Sequence, residues 1–292
     1  MPSDESGYLY TVTGERRFLD EALASVRSIR RHEPDADATL VTDLQEDAAT
    51  PEVRDAFDAV VQPDASPWRD QGTPASWKDN LLFKVGHLFT ASPYERTFFV
   101  DTDTRFLASC ADLFNLLERF DLCLCQAPAD AETVRGLDVD LSSYTPYNTG
   151  VMLFRKNERT EELFRLWYRI YRDEFDDYPY GQPAFMAALL RCEQQIHSYT
   201  LQSTMNFRSP YNERLLGPVR ILHGRPDDPE RVAEEVNRTH ENRVWLAGLG
   251  VVVPLRFTVG EQFRLLRKAA VQIVFSLAES LSQTLARPFS RE

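Results

Sequence analysis

Phe98-Phe99-Val100-Asp101-Thr102-Asp103-Thr104 decides how this chain is read. An apolar run breaks off into two carboxylates one residue apart. Such a run reads as a buried strand, and its acids then stand at the carboxyl edge of a sheet, where open α/β folds bind ligands. Two hard oxygen donors at that edge suit Mg²⁺ or Mn²⁺ carrying a diphosphate. The pair alone carries little weight. With 23 Asp in the chain, chance supplies about two Asp-x-Asp pairs, and three occur: Asp35/Asp37, Asp101/Asp103 and Asp138/Asp140. Only the middle pair ends an apolar strand; the other two read as solvated loop residues.

Strands alternate with helices on either side of this segment. Tyr8 to Thr13 reads as a first strand, Ala38 to Val41 as a second and Asp55 to Val61 as a third. Arg17 to Arg31 carries a helical stripe (Phe18, Leu19, Ala22, Leu23, Val26, Ile29), and Leu81 to Phe89 is a further helix. Beyond Asp103, strands are expected at Leu122 to Gln126, Gly150 to Phe154 and Val219 to Leu222, with helices at Thr160 to Arg172 and Gln182 to Leu190. Residues 227–242 read as loop and surface helix. This order predicts an α/β fold with a mainly parallel central sheet.

The 292 residues support a substantial core, and the 43% hydrophobic content is that of a globular protein. A net charge of −12 argues against nonspecific nucleic-acid binding. Four Lys against 29 Arg, with 45 acids, suggest a surface kept in solution by negative charge, as in halophilic proteins. Cys110, Cys123, Cys125 and Cys192 form no zinc spacing and read as buried free thiols. The polar opening Met1 to Gly7 carries no secretory pattern, so a cytoplasmic setting is expected and Asn237-Arg238-Thr239 reads as a chance glycosylation sequence.

The tail differs from the rest. Phe263, Leu266, Ala270, Ile273, Val274, Leu277 and Leu281 lie at helical spacing among Arg264, Arg267, Lys268 and Arg287. Gln272, Ser276 and Glu279 interrupt it, so it is not a membrane span. Its amphipathic face fits packing on the domain, a dimer partner through residues 258–285, or peripheral contact at the inner face of an anionic membrane. The expected division is therefore residues 1–255 as one domain and 256–292 as a helical tail.

Four further elements flank Asp101 and Asp103. Lys84, on the preceding helix, has the reach and charge for a phosphate. Tyr147-Asn148-Thr149-Gly150 precedes a strand, with a glycine that permits close approach to a ligand. Gly181-Gln182-Pro183 opens a helix whose free N–H groups suit a polar substrate. His223-Gly224-Arg225-Pro226 follows a strand and offers a nitrogen ligand and a phosphate-binding fork.

Taken together, the set resembles the GT-A nucleotide-sugar glycosyltransferases, and among them the glycogenin and lipopolysaccharide galactosyltransferase group (glycosyltransferase family 8-like), over roughly residues 7–226. The resemblance implies a GT-A fold, a nucleoside-diphosphate-sugar donor, expected to be UDP-linked, and Mn²⁺ (or Mg²⁺) held by Asp101, Asp103 and His223. It implies that Thr11, Val12 and Thr13 hold the base, and that Lys84, Thr102 and Arg225 lie against the donor. It implies that Asn148, Gly150 and Val151 bind the sugar, that Asn148 and Gln182 take the catalytic orienting roles, and that Asn206 matches a family Asn. Transfer to a hydroxyl of a glycan, lipid-linked or protein acceptor is implied, with retention of configuration. One departure stands out: family members commonly carry Asp-Gln where this chain has Gly181-Gln182. Asp176 and Asp177 are nearby substitutes in sequence. The departure keeps a second reading open, a nucleotide-sugar-binding protein of weak or no turnover that acts through partners. A sugar-1-phosphate nucleotidylyltransferase matches poorly, because Tyr10 to Arg17 lacks a Gly-rich basic loop.

Overall fold

A computed structural model of the chain describes residues 5–63, 77–127, 146–175 and 181–254, together with residues 264, 267, 268, 270 and 271. The elements run β1 (Ser6–Val12), α1 (Arg16–Arg30), β2 (Ala38–Thr42), α2 (Gln45–Ala48), α3 (Pro51–Ala56), β3 (Ala59–Val61), α4 (Trp77–Leu88), β4 (Arg96–Val100) and β5 (Thr104–Phe106). After a 3-10 segment, Ala111–Glu118, follow β6 (Leu122–Gln126), β7 (Tyr147–Arg155), α5 (Glu158–Glu174), α6 (Gln182–Arg191) and β8 (Ser198–Leu201). The chain closes with β9 (Glu213–Leu215), β10 (Ile221–His223), α7 (Pro229–Val236), β11 (Arg243–Leu246) and β12 (Val251–Pro254).

Seven strands form one sheet in the order β3-β2-β1-β4-β7-β6-β8. All pairings in it are parallel except those of β7, which runs against both β4 and β6. The expected mainly parallel α/β architecture is thus observed. The strands bury both faces, and alternate residues divide between two cores. Tyr8, Tyr10, Phe98, Val100, Val151 and Leu153 face the α1 side. Leu9, Phe99, Met152 and Phe154 face α4, α5 and α6. This period of two is what a strand imposes on its side chains. A third core, around Phe207, Leu222, Val236 and Trp245, lies under the C-terminal strands.

Local chemistry explains most boundaries. Asn157 caps α5 by accepting from the Arg159 and Thr160 amides, while the Thr160 hydroxyl accepts from the Asn157 amide, a closed capping box. Asp228 caps α7, with Pro229 in its first turn. The strand expected over Asp55 to Val61 is shorter: Pro51–Ala56 is a helix started by its proline, and only Ala59–Val61 pairs with β2.

Away from the carboxyl edge, Asp121 has a fully buried carboxylate. It accepts from the Arg155 and Arg159 guanidiniums at 3.2 and 2.9 Å, the Asn157 amide at 2.7 Å and the His197 backbone amide at 3.1 Å. It ties the start of β6, the end of β7 and the approach to β8 together.

The Asp138/Asp140 pair, Asp176, Asp177 and most of the amphipathic tail lie outside the described residues. Arg264 reaches Glu235 on α7 at 3.2 Å, so the tail's beginning touches the domain there. Among the described residues, no helix is long and apolar enough to cross a membrane.

Candidate metal centre and donor site

Val100 ends β4, and the chain turns at once through Asp101, Thr102 and Asp103 into β5. That turn is fastened from below. The Asp101 amide donates to the Gly150 carbonyl at 2.7 Å. The Asp101 carbonyl accepts from the Thr104 hydroxyl at 2.8 Å, and Thr104, Ser25 and Tyr10 continue as a buried hydroxyl chain with links of 2.7 and 2.8 Å. The two acids therefore stand on a rigid base, which pre-organises them for a ligand.

His223 arrives from far along the chain by strand pairing. β10 runs antiparallel to β5 and sets His223 opposite Thr104. Its Nε2 lies 3.4 Å from Asp103 Oδ1 and 3.8 Å from Asp101 Oδ2. One ligand atom from each of Asp101, Asp103 and His223 falls within 4.8 Å of the others. Two carboxylate oxygens and an imidazole nitrogen are a donor set that fits Mn²⁺ or Mg²⁺.

Hydrogen bonding settles which face the imidazole presents. The Gly150 amide donates to Asn148 Oδ1 at 2.9 Å, so that atom is an oxygen. Asn206 Nδ2 donates to the same oxygen at 2.8 Å, which leaves Asn206 Oδ1 to face His223 Nδ1 at 2.7 Å. Nδ1 must then carry the proton, and the lone pair of a neutral ring sits on Nε2, toward the acids. This is the arrangement that orients metal-binding histidines. His223, Asn148 and Asn206 are all buried.

Charge closes the centre on both sides. Lys84, from α4, pairs with Asp101 Oδ1 and lies 4.7 Å from the Phe99 ring centroid. Arg225 reaches Asp103 Oδ2 at 3.0 Å. Burial pushes the Asp103 carboxyl up, but the facing His223 ring in its protonated form, and then Arg225, outweigh burial and hold it well below the usual carboxylate range; a bound cation would take the place of that ring's Nε2 proton.

Of the other expected site residues, Thr13 donates from Oγ1 at 2.7 Å to Asp43, the residue after β2, and the neighbouring Gly14 amide donates to the same carboxylate at 3.3 Å. Val12 is buried in the α1-side core, so only its backbone is left for a ligand. Thr11 is half-buried beside them. Val151 is also core. Gln182 opens α6, half-buried, and no hydrogen bond joins it to the metal cluster among the described residues. Gly181 is buried, with φ −78°, and its carbonyl accepts from Trp167 Nε1 at 2.9 Å. A β-carbon there would meet Trp167 at 3.5 Å, an ordinary contact. Neither backbone nor space requires glycine at this position.

Two residues near the centre escaped the sequence reading. Asp43 had a signal, since it follows β2 as Asp101 follows β4. Glu21 had none: it is one acid among several on an amphipathic helix.

No protein-family model and no curated protein matches the chain. Solved structures do match. Mouse xyloside xylosyltransferase 1, in its apo form, aligns with a TM-score of 0.51 at 14% identity, over 77% of this chain and 99% of that one. An active-site mutant of LgtC aligns with a TM-score of 0.51 at 14% identity, over 74% and 86%. GlyE from Streptococcus pneumoniae TIGR4 aligns with a TM-score of 0.51 at 14% identity, over 99% of this chain and 66% of that one. The chain has the GT-A glycosyltransferase fold, as its sequence implied.

Proposed function

We propose that this protein is a metal-dependent glycosyltransferase, moving a sugar from a nucleoside-diphosphate donor, expected to be UDP-linked, to a hydroxyl acceptor. The observation that carries this reading is the clustering of Asp101, Asp103 and His223 donor atoms within 4.8 Å at the carboxyl edge of the sheet. Those three residues would hold Mn²⁺ or Mg²⁺. A divalent cation there supplies Lewis-acid charge for the diphosphate as it departs.

The protein's own groups do the rest. The bond between the anomeric carbon and the diphosphate oxygen breaks, and its electron pair leaves with that oxygen. The acceptor hydroxyl oxygen bonds the anomeric carbon and gives up its proton to the departing diphosphate oxygen. Lys84 and Arg225 flank the acids and add fixed positive charge where the leaving group develops negative charge. Asn148, locked by Gly150 and Asn206, and Gln182 at the start of α6 orient the sugar. Thr11, Val12 and Thr13 border the base. Retention of configuration is the expected outcome, by resemblance.

Asp103→Ala should abolish metal-dependent hydrolysis of the donor; retained turnover refutes the site. A thermal-shift panel of nucleotide-sugars with and without Mn²⁺ should return one donor-specific, metal-dependent shift. Gly181 favours a second reading, a nucleotide-sugar-binding protein without turnover, because the position accepts a β-carbon and yet carries no carboxylate. Calorimetric binding of UDP with Mn²⁺, but no turnover across several donors and acceptors, would select it. An acceptor of glycan, lipid-linked or protein nature, a dimer or membrane contact through the tail, and a cytoplasmic location belong to this proposal as expectations.

A further inference from the structure

Arg225 is more than half exposed, with its side chain 57% accessible, yet it is held on two edges. Its Nε and one terminal nitrogen make a bidentate pair with Glu21 of α1, at 2.6 Å to Oε1 and 2.7 Å to Oε2. The other terminal nitrogen meets Asp103 Oδ2 at 3.0 Å. Glu21 Oε2 also accepts from the Thr102 hydroxyl at 2.9 Å, and Thr102 is the residue between the two metal-site acids. One carboxylate on a helix thus joins the Asp101-Thr102-Asp103 turn to the loop after β10.

A carboxylate beside a site meant for a diphosphate is unfavourable by simple charge. It has to be explained by what it does to its neighbour. A guanidinium offers five N–H donors in a fixed fork. Glu21 takes the Nε edge and so turns the opposite end of the fork toward Asp103. A cation bound at Asp103 would draw that carboxylate's charge and leave Glu21 as the partner that keeps Arg225 in place. The free end of the fork would then face the cation's anionic ligand. Glu21, Thr102, Asp103 and Arg225 also line a small cavity of about 160 Å³ with Ala24, Leu222 and Pro229, beside the turn on the α1 side.

We infer that Glu21 is a positioning residue for the diphosphate: it aims Arg225 at the phosphates of the donor and fixes the aim to the metal-site turn through Thr102. The inference rests on the donor-binding reading above.

The test is a double-mutant cycle on the full chain, with calorimetry of UDP in Mn²⁺, of inorganic diphosphate in Mn²⁺ and of Mn²⁺ alone, and with donor-hydrolysis kinetics. Glu21→Gln keeps an oxygen for Thr102 and removes the charge from Arg225. It should weaken UDP binding by about fivefold to tenfold and lower kcat/KM for donor hydrolysis by at least as much, with Mn²⁺ affinity within about twofold of wild type. In an Arg225→Ala background, Glu21→Gln should add nothing, because its effect passes through the guanidinium. Unchanged or tighter UDP binding in Glu21→Gln overturns the inference, and so does an equal loss with and without Arg225. If wild type and Arg225→Ala differ in UDP affinity while Glu21→Gln does not, Glu21 alone is refuted. If wild type shows no Mn²⁺-dependent UDP binding at all, the donor-binding reading falls and takes this one with it.

Discussion

A β-carbon on Gly150 would lie 2.4 Å from Asp101 Oδ2 and 2.4 Å from His223 Cε1. The glycine therefore makes room for the cluster of Asp101 and His223, and its backbone angles are not what demand it. Gly150→Ala should push both ligands apart and lower Mn²⁺ affinity by more than about tenfold, the scale on which disturbed metal surroundings act. Titration of Mn²⁺ by electron paramagnetic resonance, with circular dichroism as a check on folding, would measure it. Unaltered Mn²⁺ binding in a folded variant would contradict the assignment.

Asn206 sets the His223 tautomer from the Nδ1 side, away from the Nε2 that faces Asp101 and Asp103. Asn206→Leu removes the acceptor for Nδ1–H and should cost about tenfold to a hundredfold in Mn²⁺ affinity. Binding of the nucleoside without metal should change far less. Paired titrations of Mn²⁺ and uridine separate the two effects.

Asp121 is a structural acid. Burial pushes its carboxyl up, but the His197 amide and then Arg159, Asn157 and Arg155 outweigh this and hold it below the usual carboxylate range. A carboxyl lowered in the folded state lends stability above its unfolded pKa and loses it as pH falls further. Asp121→Ala leaves the Asn157 amide and the His197 N–H without their acceptor, while Arg155 and Arg159 are partly solvated, and should cost about 1–3 kcal/mol. Urea denaturation at pH 7 and pH 3 should show the variant's deficit shrinking in acid, with UDP binding at neutral pH preserved.

Glu213 behaves in the opposite sense. Burial pushes its carboxyl up to about 7, and its Oε2 has no hydrogen-bond partner among the described residues. The folded state therefore keeps a proton that the unfolded chain releases near its ordinary value. Stability should fall as pH rises from about 4.5 through 7. Glu213→Gln should flatten that dependence and gain no more than about 3 kcal/mol at pH 8, with little change at pH 4. Melting temperatures at the two pH values decide it.

The parts of this architecture visible in the sequence are those set by local pattern. Phe98 to Asp103 declares its strand by hydrophobicity and its edge by charge, and Arg16–Arg30 declares its helix by a stripe. Strand direction leaves no such mark, so the reversal of β7 was not foreseeable from Val151 to Phe154, which read equally well either way. Three-residue strands such as β5 and β9 are too short to show a period, and they form because β10 and β11 pair with them. Asp101, Asp103 and His223, which the structure clusters, were legible as candidates because each follows or ends an apolar strand. The Asn148–Asn206–His223 relay was legible only as separate residues, since its hydrogen-bonding sense depends on the Gly150 amide. Glu21 could not be singled out, because its partners are 81 and 204 residues away.

The reversed strand has a consequence for how such a protein can diversify. Because β7 runs against β6, Gln126 and Tyr147 are direct partners, and both stand at the carboxyl edge near Asn148. The chain leaves the rim of the cleft and re-enters it at one spot. What lies between can be lengthened, shortened or exchanged as a cassette without shifting the register that holds Asp101, Gly150 and His223. The Asp101–Asp103–His223 cluster would be inherited intact through any such exchange.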